Sequence, residues 1–221
     1  MRLTIFGATG GIGRRLVGQA VAAGHDVTAV VRNPQALTAD VRTVTADLAS
    51  PDPAVLRSAV RGTDAVLSGL GPRGKGEFGI ASRGTEAIIE AMKATDVRRI
   101  VVISVAGIST IPTPGRPNPP KRDPGMGWFM RNVLSPMAKA RLGRHYADVA
   151  MMEDLLRDSG LDWTAVGVPL LTDKPPTGTY RTAYGQSVRG GRRVTRADAA
   201  HFMLRAIEQP ETIGKSIAIA N

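Results

Sequence analysis

The sequence contains no cysteine. Disulfides, thiolate catalysis, iron–sulfur ligation and cysteine-based zinc sites are therefore excluded, and a reducing compartment is allowed. Aromatic residues are only 4% of the 221, too few to supply obvious base-stacking platforms for nucleic acid. No apolar run reaches the roughly 18 residues of a membrane-crossing helix. The apolar opening, Leu3 to Phe6, is too short for a signal-peptide core and runs straight into a glycine loop. The expected setting is cytoplasmic, with no nucleic-acid or membrane partner. The three histidines, His25, His145 and His201, lack metal-ligand spacing such as HExxH, and no GxSxG nucleophile elbow occurs. No metal is expected.

Hydrophobic residues are 43% and charged residues 22%, ordinary for a soluble globular chain. A chain of this length buries roughly 70% of its extended surface, enough for one domain spanning 1–221. The net charge of +10 comes partly from basic pairs, Arg14 with Arg15, Arg98 with Arg99, Lys121 with Arg122 and Arg192 with Arg193, rather than one block. That distribution reads as a solvated surface.

Short β-branched runs alternate with helical patterns. Strands are expected at 2–6, 26–31, 41–45, 65–67, 99–103, 163–168 and 216–220, with short strands near 179–183. Helices are expected at 12–23, 80–95, 143–159 and 195–208, with a further one around 128–134. The first helix carries Ile12, Leu16, Val17 and Val21 on one stripe. The alternation predicts a doubly wound α/β fold of Rossmann type, a parallel sheet with helices on both faces. Residues 110–127 hold six prolines and read as a loop over the substrate end. Residues 170–221 read as a small substrate-side lobe.

The informative motif is Gly7-Ala8-Thr9-Gly10-Gly11-Ile12-Gly13, between the first strand and the first helix. Gly7 permits a tight turn, Gly10 lets backbone approach a pyrophosphate, and Gly13 allows close helix–strand packing. Exposed N–H groups and the helix dipole would receive the phosphates. Gly7, Thr9, Gly10, Gly11, Ile12 and Gly13 are thus candidate dinucleotide-binding residues. The second strand ends at Arg32, followed by Asn33. An acidic residue there would bond the ribose hydroxyls of NAD, whereas a guanidinium suits a 2′-phosphate. NADP(H) is the expected cofactor. Asp47 and Leu48 after the third strand are placed to meet adenine. Gly69, Leu70 and Gly71 after the fourth leave room for the adenosine half, and Ser104 follows the fifth.

GATGGIGRRLV at the start, VVRNP after the second strand and ADL after the third resemble the atypical short-chain dehydrogenase/reductase proteins. EDLLRDSGLDWTAVGVP at 153–169 and VTRADAAHFMLRAIE at 194–208 are similar to their NAD(P)H-binding, NmrA-like branch, which includes flavin reductase and biliverdin reductase B types. The resemblance covers nearly the whole chain except the proline-rich loop. It implies that Pro169 and Leu170 also line the cofactor.

Ordinary members of that superfamily carry a Tyr and a Lys four residues apart on one helix face. The lysine lowers the phenol pKa so that the pair can protonate a carbonyl oxygen as hydride arrives. Here Tyr146, Tyr180 and Tyr184 are followed at four by Ala150, Tyr184 and Val188, so the pair is missing. A ketone needs that acid more than a flavin or quinone does, because a conjugated acceptor delocalises the charge it receives. The expected activity is NADPH-dependent hydride transfer to a small flavin or quinone-like acceptor, with Ser104 and Tyr146 as candidate catalytic residues. The alternatives are a non-catalytic NADP(H)-binding redox sensor of NmrA type, or a sugar-nucleotide epimerase- or reductase-like enzyme. Met126, Met130, Met137, Met151 and Met152 could form an adaptable wall for a flat ligand, or simply fill the core.

Overall fold

A computed structural model describes residues 1–72, 77–127 and 135–221, with backbone alone at 135–141. The expected helix at 128–134 and the side chains of Met130 and Met137 lie outside the described residues.

Eight strands form the main sheet. They are β1 (Arg2–Phe6), β2 (Asp26–Val31), β3 (Arg42–Thr45), β4 (Ala65–Ser68), β5 (Arg99–Val105), β6 (Asp162–Val168), β8 (Arg181–Tyr184) and β10 (Lys215–Ala220), and a separate pair joins β7 (Leu170–Thr172) to β9 (Arg193–Thr195). The spatial order is β3-β2-β1-β4-β5-β6-β10-β8, parallel throughout except for β8. The order runs outward from β1 in both directions, which leaves a crevice at the carboxyl ends of β1 and β4. The helices are α1 (Gly13–Ala22), α2 (Pro53–Val60), α3 (Ile80–Lys93), α4 (Ser135–Asp158) and α5 (Arg196–Ile207).

The sheet separates two apolar layers. On one face α1 and α5 pack Leu16, Val17, Phe202 and Met203 against Leu3, Ile5, Ile217 and Ile219. On the other, α2, α3 and α4 pack Leu56, Ile88, Met92, Met152 and Leu156 against Phe6, Ile100 and Val102. Strands β4 and β5 are buried on both sides, hence their continuous apolar sequence.

Several expectations are corrected. The stripe on α1 is Gly13, Leu16, Val17 and Ala20, while Val21 is exposed. Helix α2 was not expected, although Asp52 caps it, accepting from the N–H groups of Ala54 and Val55, and Pro53 opens it. Helix α4 begins eight residues before the expected position and has non-helical dihedrals at Leu142, just before Gly143. Of residues 170–221, β8 and β10 belong to the main sheet and α5 to its helical layer; the β7–β9 pair stands apart.

The proline-rich segment is pinned at two carboxylates. Asp123, buried, accepts from the backbone N–H of Gly125 and from the N–H and hydroxyl of Ser187. Asp154 of α4 accepts from the N–H of Gly115 at 3.0 Å. Met126 packs on Gly107, and Met152 is core.

Candidate functional site

One cleft of about 1150 Å³ opens along the carboxyl ends of β1, β2, β4, β5 and β6. Its size exceeds the usual small-molecule range, as a dinucleotide requires.

The centre of the cleft is the glycine loop. Gly7 adopts φ +68°, and a Cβ there would fall 2.9 Å from the backbone of Gly69. A Cβ on Gly13 would fall 2.1 Å from the Gly7 carbonyl oxygen. These two positions admit only glycine, and the close turn carries the chain into α1. Gly10 donates to the Gly7 carbonyl at 2.8 Å. Among the described residues, the N–H groups of Gly11, Ile12 and Gly13 have no backbone acceptor. They are the orphan donors of a helix start, clustered where the dipole favours an anion. Thr9 lines the cleft beside them, whereas Gly13 lies behind it.

A cation missed in the sequence completes this cradle. Arg196, the first residue of α5, lies across Gly11 and lines the cleft; a Cβ on Gly11 would come within 2.7 Å of its Nε. Asp173 holds Arg196 at 2.7 Å and Arg15 at 2.9 Å. No local signal marks Arg196, because it stands some 185 residues from the loop it covers.

At the β2 end of the cleft, Arg32 lies at the carboxyl end of its strand and pairs with Glu77 at 2.6 Å. Asp47 folds one carboxylate oxygen onto the Ala49 N–H at 3.0 Å. Leu48 and Leu70 pack against Gly84 of α3, and together with Ile80 give this end its apolar walls. Gly69 and Gly71 line it as expected. Glu77 and Phe78 complete this end, and Arg144 stands over the Phe78 ring at 5.8 Å.

At the opposite end stand Ser104, Val105, His145, Val149, Val168 and Leu171. Ser104 donates its hydroxyl to Glu153 Oε1 at 2.5 Å, and both side chains are buried. Glu153 Oε2 accepts from Ser216 and Arg157, each at 2.9 Å. The Ser104 proton is thus committed to Glu153, and its oxygen can offer the cleft a lone pair. It suits an N–H partner, such as a carboxamide, better than a carbonyl oxygen.

Helix α4 is positioned by Asp148, which accepts from the N–H groups of Ala81 and Ser82 and from the Ser82 hydroxyl. Helix α3 has no side-chain cap of its own at Gly79, so its orphan donors dock α4. One turn earlier, His145 faces the cleft with Nδ1 buried and, among the described residues, without a hydrogen-bond partner. Burial lowers its pKa against the opposing pull of Asp148, so the ring is neutral near pH 7.

Three expected residues fall elsewhere. Tyr146 does not line the cleft; it is half-buried against the core beneath α4, where desolvation raises its pKa. Helix phase gives the cleft to His145 instead. Pro169 and Leu170 also miss the cleft, and Leu170 is 62% exposed. Strand parity turns Val168 and Leu171 inward in their place.

The residues present fit a dinucleotide: an orphan N–H cluster, a Cβ-free approach, and cations both beside the glycine loop and at the end of β2. A family model described as NAD(P)H-binding matches residues 7–210. An uncharacterized protein of Mycobacterium tuberculosis, Rv2047c, is 31% identical over 105 residues, 47% of this chain; the match covers 12% of that relative's length. Three solved structures share the fold. A Burkholderia pseudomallei protein, provisionally described as exported, is 29% identical with TM-score 0.76, both chains being fully covered. SP1627 of Streptococcus pneumoniae, provisionally described as an NADH-flavin reductase, is 24% identical with TM-score 0.77, covering 100% of this chain and 99% of its own. A Veillonella parvula short-chain dehydrogenase/reductase in complex with NADP is 19% identical with TM-score 0.71, covering 100% and 94%. Among the described residues, no helix is long and apolar enough to cross a membrane, and no cluster of His, Asp and Glu could hold a metal ion.

Proposed function

Since the chain belongs to the NAD(P)H-binding family, we propose that it is an NADPH-dependent oxidoreductase that passes hydride to a flavin or quinone-like acceptor. Arg32 carries the cofactor half of this reading. It occupies the strand end where NAD-preferring sites hold an acid, in the same cleft as the glycine loop. The NADP complex of the Veillonella protein supports it by analogy of fold.

The acceptor half rests on the other end of the cleft. Ser104 donates its hydroxyl to Glu153, and Tyr146 packs against the core without a lysine partner. That end is poorly equipped to protonate a ketone and adequate for an acceptor that spreads its charge. The provisional description of the Streptococcus protein points the same way.

The coenzyme, when bound, supplies the hydride. The chain's own residues bind and orient. Gly11 and Ile12 N–H groups with Arg196 hold the pyrophosphate, Arg32 the 2′-phosphate, and Leu48, Leu70 and Ile80 the adenine. Ser104 accepts from the carboxamide, and Val105, Val168 and Leu171 exclude water beside the reacting ring. Holding two flat rings in register is most of what a protein adds to such a transfer.

The test is NADPH oxidation with FMN, FAD or a small quinone. Turnover far above the uncatalysed background supports the enzyme. Coenzyme binding without turnover on any of them supports the second reading, a redox sensor, which the committed Ser104 proton also favours.

A further inference from the structure

A second groove, about 490 Å³, lies on the α4 face of the sheet beside β6 and β10. Helix α5 covers the opposite face of these strands, and among the described residues no α-helix beyond α4 lines this one. Trp163, Gly167 and Ala218 floor the groove, and the turn after β5 and Arg116 wall it.

Its polar groups divide unequally. The two carboxylates at its edge are saturated. Asp123 takes the Gly125 and Ser187 donors, and Glu153 takes Ser104, Ser216 and Arg157. Arg157 is consumed in turn by Glu153 and Asp154. Two cationic side chains are unspent. Arg116 Nε and Nη2 are shielded from water and have no acceptor among the described residues. Lys215, exposed at the rim, makes no ion pair among the described residues.

Arg116 is held where it is by its backbone. It exchanges two hydrogen bonds with Thr113, at 3.1 and 3.0 Å, and the neighbouring Gly115 N–H is tied to Asp154. A guanidinium fixed in a sheltered place with two idle donors carries an unrelieved desolvation cost. Its planar fork matches one kind of partner, an oxyanion bound through two oxygens.

We propose that this groove, which adjoins the dinucleotide cleft at Val105, is a second binding site, for a small organic oxyanion, a carboxylate or a phosphate ester, gripped by Arg116 and Lys215. Glu153 lies between the two sites, with one oxygen on Ser104 of the cleft and the other on Ser216 and Arg157 of the groove. The proposal does not depend on the identity of the hydride acceptor.

Calorimetric titration with inorganic phosphate and with succinate, at fixed ionic strength, tests it. The expected result is saturable binding of at least one probe, and the preferred probe identifies the chemistry. Binding should weaken about tenfold in Arg116→Met and in Lys215→Met, as loss of a charge-assisted bond implies. It should persist in Arg32→Met and in the presence of saturating NADP⁺. Lys215 is exposed, so its variant reports even if Arg116→Met fails to fold. Two results overturn the proposal: no saturable binding of either probe, or binding that Arg32→Met or NADP⁺ abolishes while Lys215→Met leaves it unchanged.

Discussion

Arg32 and Glu77 meet at 2.6 Å across the adenosine end of the cleft, with Arg32 about half exposed and Glu77 a quarter. A 2′-phosphate approaching Arg32 must take the place of the Glu77 carboxylate or share the cation with it. A partly exposed pair is worth about 1 kcal/mol or less, so the exchange is easy. Glu77→Gln should therefore tighten NADPH binding about two- to fivefold and leave NADH binding nearly unchanged. Paired titrations of the two coenzymes check this; equal effects on both would remove Glu77 from any role in phosphate selection.

Ser104 and Glu153 should separate binding from turnover. Ser104→Ala removes a contact at the reacting end and leaves the pyrophosphate and adenosine contacts intact. The acceptor-dependent rate should fall about tenfold or more, while NADPH affinity changes by less than about threefold. Steady-state kinetics with direct binding measurements decide it. A parallel loss of both would place Ser104 in coenzyme binding alone.

Arg99 is a stability residue at the far end of the same strand. Its guanidinium donates to the carbonyls of Asp162 at 2.7 Å and Ala206 at 2.5 Å and to the hydroxyls of Thr164 and Thr212. Burial pushes its pKa down to about 10, which still leaves it charged at neutral pH. Arg99→Met strands several buried acceptors and should cost about 3 kcal/mol, seen as a lower denaturation midpoint. Coenzyme affinity of the folded protein should not change.

His145 gives stability a pH dependence of known sign. Its folded pKa is lowered by burial, so the unfolded chain binds the proton first as pH falls. Stability is full above the ordinary histidine pKa of about 6.5 and declines as pH drops through and below it. Melting curves between about pH 5 and about pH 8 should show this slope, and His145→Asn should flatten it. An unchanged slope in the variant would assign the dependence to other groups.

What the sequence made legible was local. The glycine loop, the strand that precedes it and the guanidinium at the end of β2 can each be located from a few neighbouring residues, because their positions depend on backbone conformation or on one strand end. Phase and parity were less accessible. A one-residue shift exchanges His145 for Tyr146 on a helix and Leu171 for Leu170 on a strand, and neither neighbour differs enough in polarity to mark which faces the cleft. Arg196 was invisible for another reason, since only the packing of α5 against α1 brings it to Gly11. The role of Asp123 likewise depends on Ser187, 64 residues away.

If the glycine loop cradles a dinucleotide and Arg32 meets its 2′-phosphate, calorimetry with NADPH and NADH on the native protein and on Arg32→Asp will show it. The expected result is saturable binding at one site, tighter for NADPH, with Arg32→Asp weakening NADPH about a hundredfold and NADH far less. Failure of the native protein to bind either coenzyme, or an equal loss of both in the variant, would contradict it.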